Sequence, residues 1–104
     1  MNVIKAIREK LITNPLLNER ETLSDIYNIV YSVTNMYETD FEREIIEGGY
    51  KYTVTTVSHD NHIVIYTFDI FRKEDLTYFK MNYDNVNIQM IWLNDERVTI
   101  FEYV

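Results

Sequence analysis

His62-Ile63-Val64-Ile65-Tyr66-Thr67-Phe68-Asp69-Ile70-Phe71 is the stretch that decides the fold. Side chains of an extended chain alternate between two faces, so Val64, Tyr66, Phe68 and Ile70 fall on one side and Ile63, Ile65, Thr67 and Asp69 on the other. The β-branched and aromatic content suits a pleated, half-buried surface. The same period of two recurs downstream, where Val86, Ile88, Met90 and Trp92 oppose Asn87, Gln89, Ile91 and Leu93. The first set of each pair is expected to face helices. The second is more apolar than a solvated face requires, which calls for a cover: the sheet's own curl, the first helix, or a partner chain.

Working outward, strands are expected at about 50–58, 62–71, 76–83, 86–93 and 97–103. The segments between them are His59-Asp60-Asn61, Arg72-Lys73-Glu74-Asp75, Asp84-Asn85 and Asn94-Asp95-Glu96. All are too short for a crossover helix, so consecutive strands should pair antiparallel as a meander.

Upstream the period becomes helical. Val3, Ile4, Ile7 and Leu11 mark one face of a helix over residues 2–12, and Asn14-Pro15 should end it. A second helix is expected from a Thr22 cap to about Tyr37, with Leu23, Ile26, Tyr27, Val30 and Val33 on its buried face and Tyr31 on its flank. Residues 39–47 carry two readings. Thr39-Asp40-Phe41-Glu42 is a capping-box pattern, with Gly48 available to close a short third helix; alternatively Gly48-Gly49 is a hairpin turn and Phe41 to Glu47 an extra strand. The expectation is one α+β domain over residues 1–104. Two N-terminal helices, or three, pack on one face of a C-terminal antiparallel meander of four to six strands.

The chain has no cysteine, which removes disulfides, thiolate metal sites and a cysteine nucleophile, and the apolar residues at the amino terminus are interrupted by Lys5, Arg8 and Lys10. A cytoplasmic protein with no membrane span is expected. Ten Lys and Arg against seventeen Asp and Glu give a net charge of −7. That balance repels phosphate backbones and anionic lipid, so direct nucleic-acid binding is not expected.

Catalytic motifs are absent from the sequence: there is no nucleophile elbow, phosphate loop, dinucleotide fingerprint or zinc-protease helix. Ser58-His59-Asp60 names the members of a hydrolase triad, but neighbours at a strand end point in alternating directions and cannot relay a proton. His59 and His62 around Asp60 are the one place where two imidazoles and a carboxylate lie close; a turn accounts for the same residues without a metal. No cofactor and no enzymatic activity are expected.

Two departures from average composition remain. Glu38, Asp40, Glu42, Glu44 and Glu47 form an acidic run opposed locally by Arg43 alone, and nine tyrosines include Tyr50 and Tyr52 just after it. A solubilising face is the plain reading of such a run. The functional reading is a surface for a partner protein with a basic face, with tyrosines contributing large contact area at low entropic cost. Thirteen Ile, ten Asn and nine Tyr against two Gly and one Pro suit an A/T-rich coding sequence. With small size and no cofactor signature, this resembles in general style the accessory proteins of phages and mobile elements. The expectation is therefore a non-enzymatic inhibitor or regulator of another protein, including a local nucleic-acid mimic. A toxin-neutralising immunity protein, a structural homo-oligomer and a ligand or metal binder using the His59–His62 turn are the alternatives.

Overall fold

Alternating apolar residues do form the strands, and the amphipathic segments before them form helices over one face. The computed structural model describes residues 2–13, 19–93 and 96–103. Helix α1 (Val3–Thr13) and helix α2 (Glu19–Thr34) precede strands β1 (Tyr37–Ile46), β2 (Gly49–Val57), β3 (Ile63–Lys73), β4 (Leu76–Tyr83), β5 (Val86–Leu93) and β6 (Glu96–Tyr103). The six strands form one antiparallel sheet in chain order, with β1 and β6 at its edges. The Asn14-Pro15 break and the Asn94-Asp95 part of the last turn lie outside the described residues.

The start of α1 follows from Asn2, whose side-chain oxygen accepts the Lys5 N–H at 2.7 Å and so satisfies a donor that the first helical turn leaves open. Helix α2 differs from expectation at both ends. It begins at Glu19, so Thr22 lies inside it and is buried instead of capping it; Glu19, Arg20 and Glu21 are all favourable in helix and carry it upstream. It stops at Thr34, three residues short of Tyr37. Asn35 takes the left-handed conformation (φ 58°) and its N–H donates to the Tyr31 carbonyl at 2.8 Å. The Thr34 hydroxyl accepts the Met36 N–H at 3.1 Å. The chain turns into extended geometry there, Met36 enters the core, and Tyr37 opens β1.

Residues 39–46 are strand, not helix. Pairing with β2 runs from Tyr37↔Val57 to Ile46↔Gly49, with one irregularity between Glu38 and Asp40 where Thr39 is passed over. Backbone groups that a short isolated helix would leave open at both ends are taken up by the neighbouring strand. The connecting turn is Glu47-Gly48, one residue earlier than the glycine pair suggests. Gly48 has φ 81°, and Gly49 lies so close to the Ile70 carbonyl of β3 that a Cβ there would collide with it. One glycine serves the turn and the other serves the close approach of β3.

The inner face of the sheet carries the core. Tyr52 and Val54, Tyr66 and Phe68, Phe79 and Met81, and Ile88, Met90 and Trp92 pack with Val3, Ile4, Ile7 and Leu11 of α1 and Ile26 and Val30 of α2. The outer face is open. Ile63 and Ile65 are 61% and 56% exposed, so neither the curl of the sheet nor the first helix covers them. No helix among the described residues is long and apolar enough to cross a membrane.

Candidate functional site

The five acids of the run do not act as one array. Asp40, Glu42 and Glu44 pair with Thr55, Thr53 and Lys51, which places all three on the outer face at alternate positions of β1. Their spacing along the strand is about 6.8 Å. Glu38 pairs with Thr56 and belongs to the inner face, while Glu47 sits in the β1–β2 turn. Arg43 is on the inner face too, its guanidinium 4.6 Å from the centre of the Tyr50 ring, so it does not stand among the outer acids. The cation facing them is Lys51, opposite Glu44, which sequence distance hid. That row continues through Asp69 and Lys80, alternating in sign, so the acidic strip is one strand wide. At Asp69, partial burial outweighs the two lysines and raises the carboxyl above the usual aspartate range.

Strand β1 is also the least covered of the strands β1 to β4. Eight of its ten residues are exposed, and none of them belongs to the buried core that the helices share with β2 to β5. Phe41 (42% exposed) and Ile45 (80% exposed) stay accessible even though they face the helix side. Two strands across the outer face from Asp40, about 10 Å away, Ile65 is exposed beside Thr55. Of the tyrosines expected at this surface, Tyr50 is half-buried under Arg43. Tyr52 is fully buried, its ring between Phe41 (5.6 Å) and Phe68 (4.9 Å), and is core instead of surface.

Between α2 and the inner side of β1 lies an open hollow of about 290 Å³. Helix α2 contributes Leu23, Ser24 and Tyr27, the sheet beneath contributes Val54, Tyr66 and Phe68, and β1 supplies Glu38 and Phe41 as the outer wall. Glu38 is the single ionisable carboxylate among the described residues of this lining, and desolvation raises it above the usual glutamate range. The Tyr66 hydroxyl is pushed up by burial and then by the charge of Glu38.

Beside the hollow runs a chain of aromatic contacts. Tyr27 stacks on Tyr31 (6.5 Å), Tyr31 meets Tyr37 (5.4 Å), and Tyr37 meets His59 edge-on (5.0 Å). The Tyr37 hydroxyl lies 2.6 Å from His59 Nε2. Sequence reading placed Tyr27 and Tyr31 on α2 and missed that they continue to Tyr37 and His59; the i, i+4 spacing of the first two was the available signal. The His59–His62 segment is a closed turn. The Ser58 hydroxyl donates to the Asp60 carboxylate, which lowers the Asp60 pKa; the His62 N–H donates to Ser58 Oγ at 3.1 Å, and Asn61 has φ 65°. Among the described residues no three His, Asp or Glu side chains converge to hold a metal.

On the outer face a larger open hollow of about 640 Å³ is lined by Glu47, Asp69, Phe71, Arg72, Lys73 and Lys80 among others. Its charges are mixed, and Phe71 is occupied by Tyr78, stacked at 4.8 Å. Compared with family models, curated proteins and solved structures, the chain matches none.

Proposed function

We propose that this chain is a non-enzymatic protein-binding protein that holds a basic, extended segment of another protein along β1. The observation behind it is the build of that strand. β1 is an edge of the sheet and exposes eight of ten residues; Asp40, Glu42 and Glu44 project from one face while Phe41 and Ile45 project from the other. A segment added to a sheet edge gains backbone hydrogen bonds and sends alternate side chains to the two faces. Lysines or arginines on the outer side and apolar residues beside Phe41 and Ile45 on the inner side would complement this strand.

The same acids disfavour a second copy as the occupant. Two β1 strands paired edge to edge bring carboxylates opposite carboxylates, which is destabilising. Nucleic-acid mimicry is less well supported than a peptide-like partner. A duplex carries one charge per ~1.7 Å, whereas this strip has one per about 6.8 Å and is a single strand wide. An inhibitor or regulator of the bound partner is the role that such a surface serves.

The test is capture from host lysate with the wild type and with the Asp40→Asn, Glu42→Gln, Glu44→Gln triple variant side by side. A protein retained by the wild type, released by moderate salt and lost with the triple variant is the expected result. Equal capture by the variant would sink the β1 reading. Self-association instead, read by sedimentation at several concentrations, would favour a homo-oligomer.

A further inference from the structure

We infer that the hollow between α2 and β1 is a receptor for one lysine side chain of the bound partner. The inference rests on the β1 reading and extends it to the strand's inner side. Glu38 and Phe41 are at once residues of β1 and the outer wall of the hollow, so a segment lying along that strand has its inward side chains beside the opening.

Three features choose the occupant. The first is size: about 290 Å³ is at the lower end of small-molecule pockets, with room for one long side chain to enter. The second is the wall, where Leu23, Val54 and Phe41 offer apolar surface to an alkyl stem, and Tyr27 and Tyr66 bring aromatic rings that attract a cation. The third is charge, since among the described lining residues Glu38 is the single ionisable carboxylate and no Lys, Arg or His joins it. A guanidinium is best satisfied by a bidentate fork with further acceptors around it, whereas an ammonium is a compact point charge that one carboxylate can meet. Burial already disfavours the charged form of Glu38, and an arriving ammonium would relieve that cost.

Titration with n-butylammonium, followed by NMR of the Leu23 and Val54 methyl groups and the Tyr27 and Tyr66 rings, tests this directly. The neutral isostere 1-butanol and n-butylguanidinium serve as the two comparison probes. Butylammonium should perturb these four residues and bind more tightly than either comparison. Glu38→Gln should weaken it on the order of fivefold, the upper range for an exposed ion pair. The Asp40→Asn, Glu42→Gln, Glu44→Gln variant should leave butylammonium binding unchanged while losing the protein partner, so the two readings fail separately. Equal binding of butanol, tighter binding of butylguanidinium, indifference to Glu38→Gln, or no perturbation of the four residues would each overturn the lysine assignment.

Discussion

Strands β1 and β3 each send a phenylalanine to the same face of one sheet, and the two phenylalanines have opposite fates. Phe68 of β3 is 2% exposed, while Phe41 of β1 is 42% exposed. Strand alternation alone treats them as equivalent. The difference comes from the layer above. Helices α1 and α2 share a core with β2, β3, β4 and β5 to which β1 contributes no described residue, so one strand is core and the other is surface. An apolar residue on the inner side of a sheet is buried only where a second layer exists to bury it.

The sharpest way to break this comparison is to truncate both rings and measure urea unfolding. Phe68→Ala should cost about 3–5 kcal/mol, the range for a buried aromatic, whereas Phe41→Ala should cost less than about 1 kcal/mol. Equal losses would mean that β1 is covered in solution, by a second copy or by a rearranged helix. Next in size is Gly49→Ala, which forces a Cβ against the Ile70 carbonyl where β2 meets β3. It should destabilise by about 1–3 kcal/mol and tests whether the glycine serves packing instead of the turn.

A smaller effect of opposite sign is expected inside the core. The Tyr52 hydroxyl is buried without a hydrogen-bond partner among the described residues, so Tyr52→Phe should stabilise by about 1 kcal/mol. A loss of stability in the same unfolding measurement would reveal a partner for that oxygen.

The smallest effect concerns Glu38 and reports on the β1 side of the comparison. Its carboxyl titrates above the usual glutamate range in the folded chain, so the folded state holds that proton more tightly than the unfolded state does. The resulting destabilisation is complete above the folded pKa and disappears as pH falls below the unfolded value. Glu38→Gln should therefore raise the melting temperature slightly at neutral pH and leave it unchanged in acid. A difference that instead grows in acid would reverse the assigned direction.

Much of the architecture was legible from residue order. The alternation in Ile63–Phe71 and Val86–Trp92 identified the core-facing side of both strands, and the four short segments after Tyr50 imposed a meander. The site was less legible. The acidic run reads as one cluster in sequence, yet β1 divides it into Asp40, Glu42 and Glu44 on one face and Glu38 on the other, and Lys51 arrives opposite Glu44 from the next strand. Neither the aromatic contacts from Tyr27 to His59 nor the hollow beside Glu38 has a local signature, because each joins residues from α2, β1, β2, β3 or the β2–β3 turn.

The sequence by itself determined the fold class, the strand alternation, the absence of thiol chemistry and the excess negative charge, since each depends on near neighbours or on totals. Tertiary structure alone decided that residues 39–46 are strand, that Tyr52 is core, and that Phe41, Ile45 and Glu38 are accessible. The physical reason is that a ten-residue segment has local energies too similar in helix and strand to choose for itself. Pairing with β2 supplied the choice, and the confinement of the sheet's described core to β2 through β5 left the segment's side chains exposed.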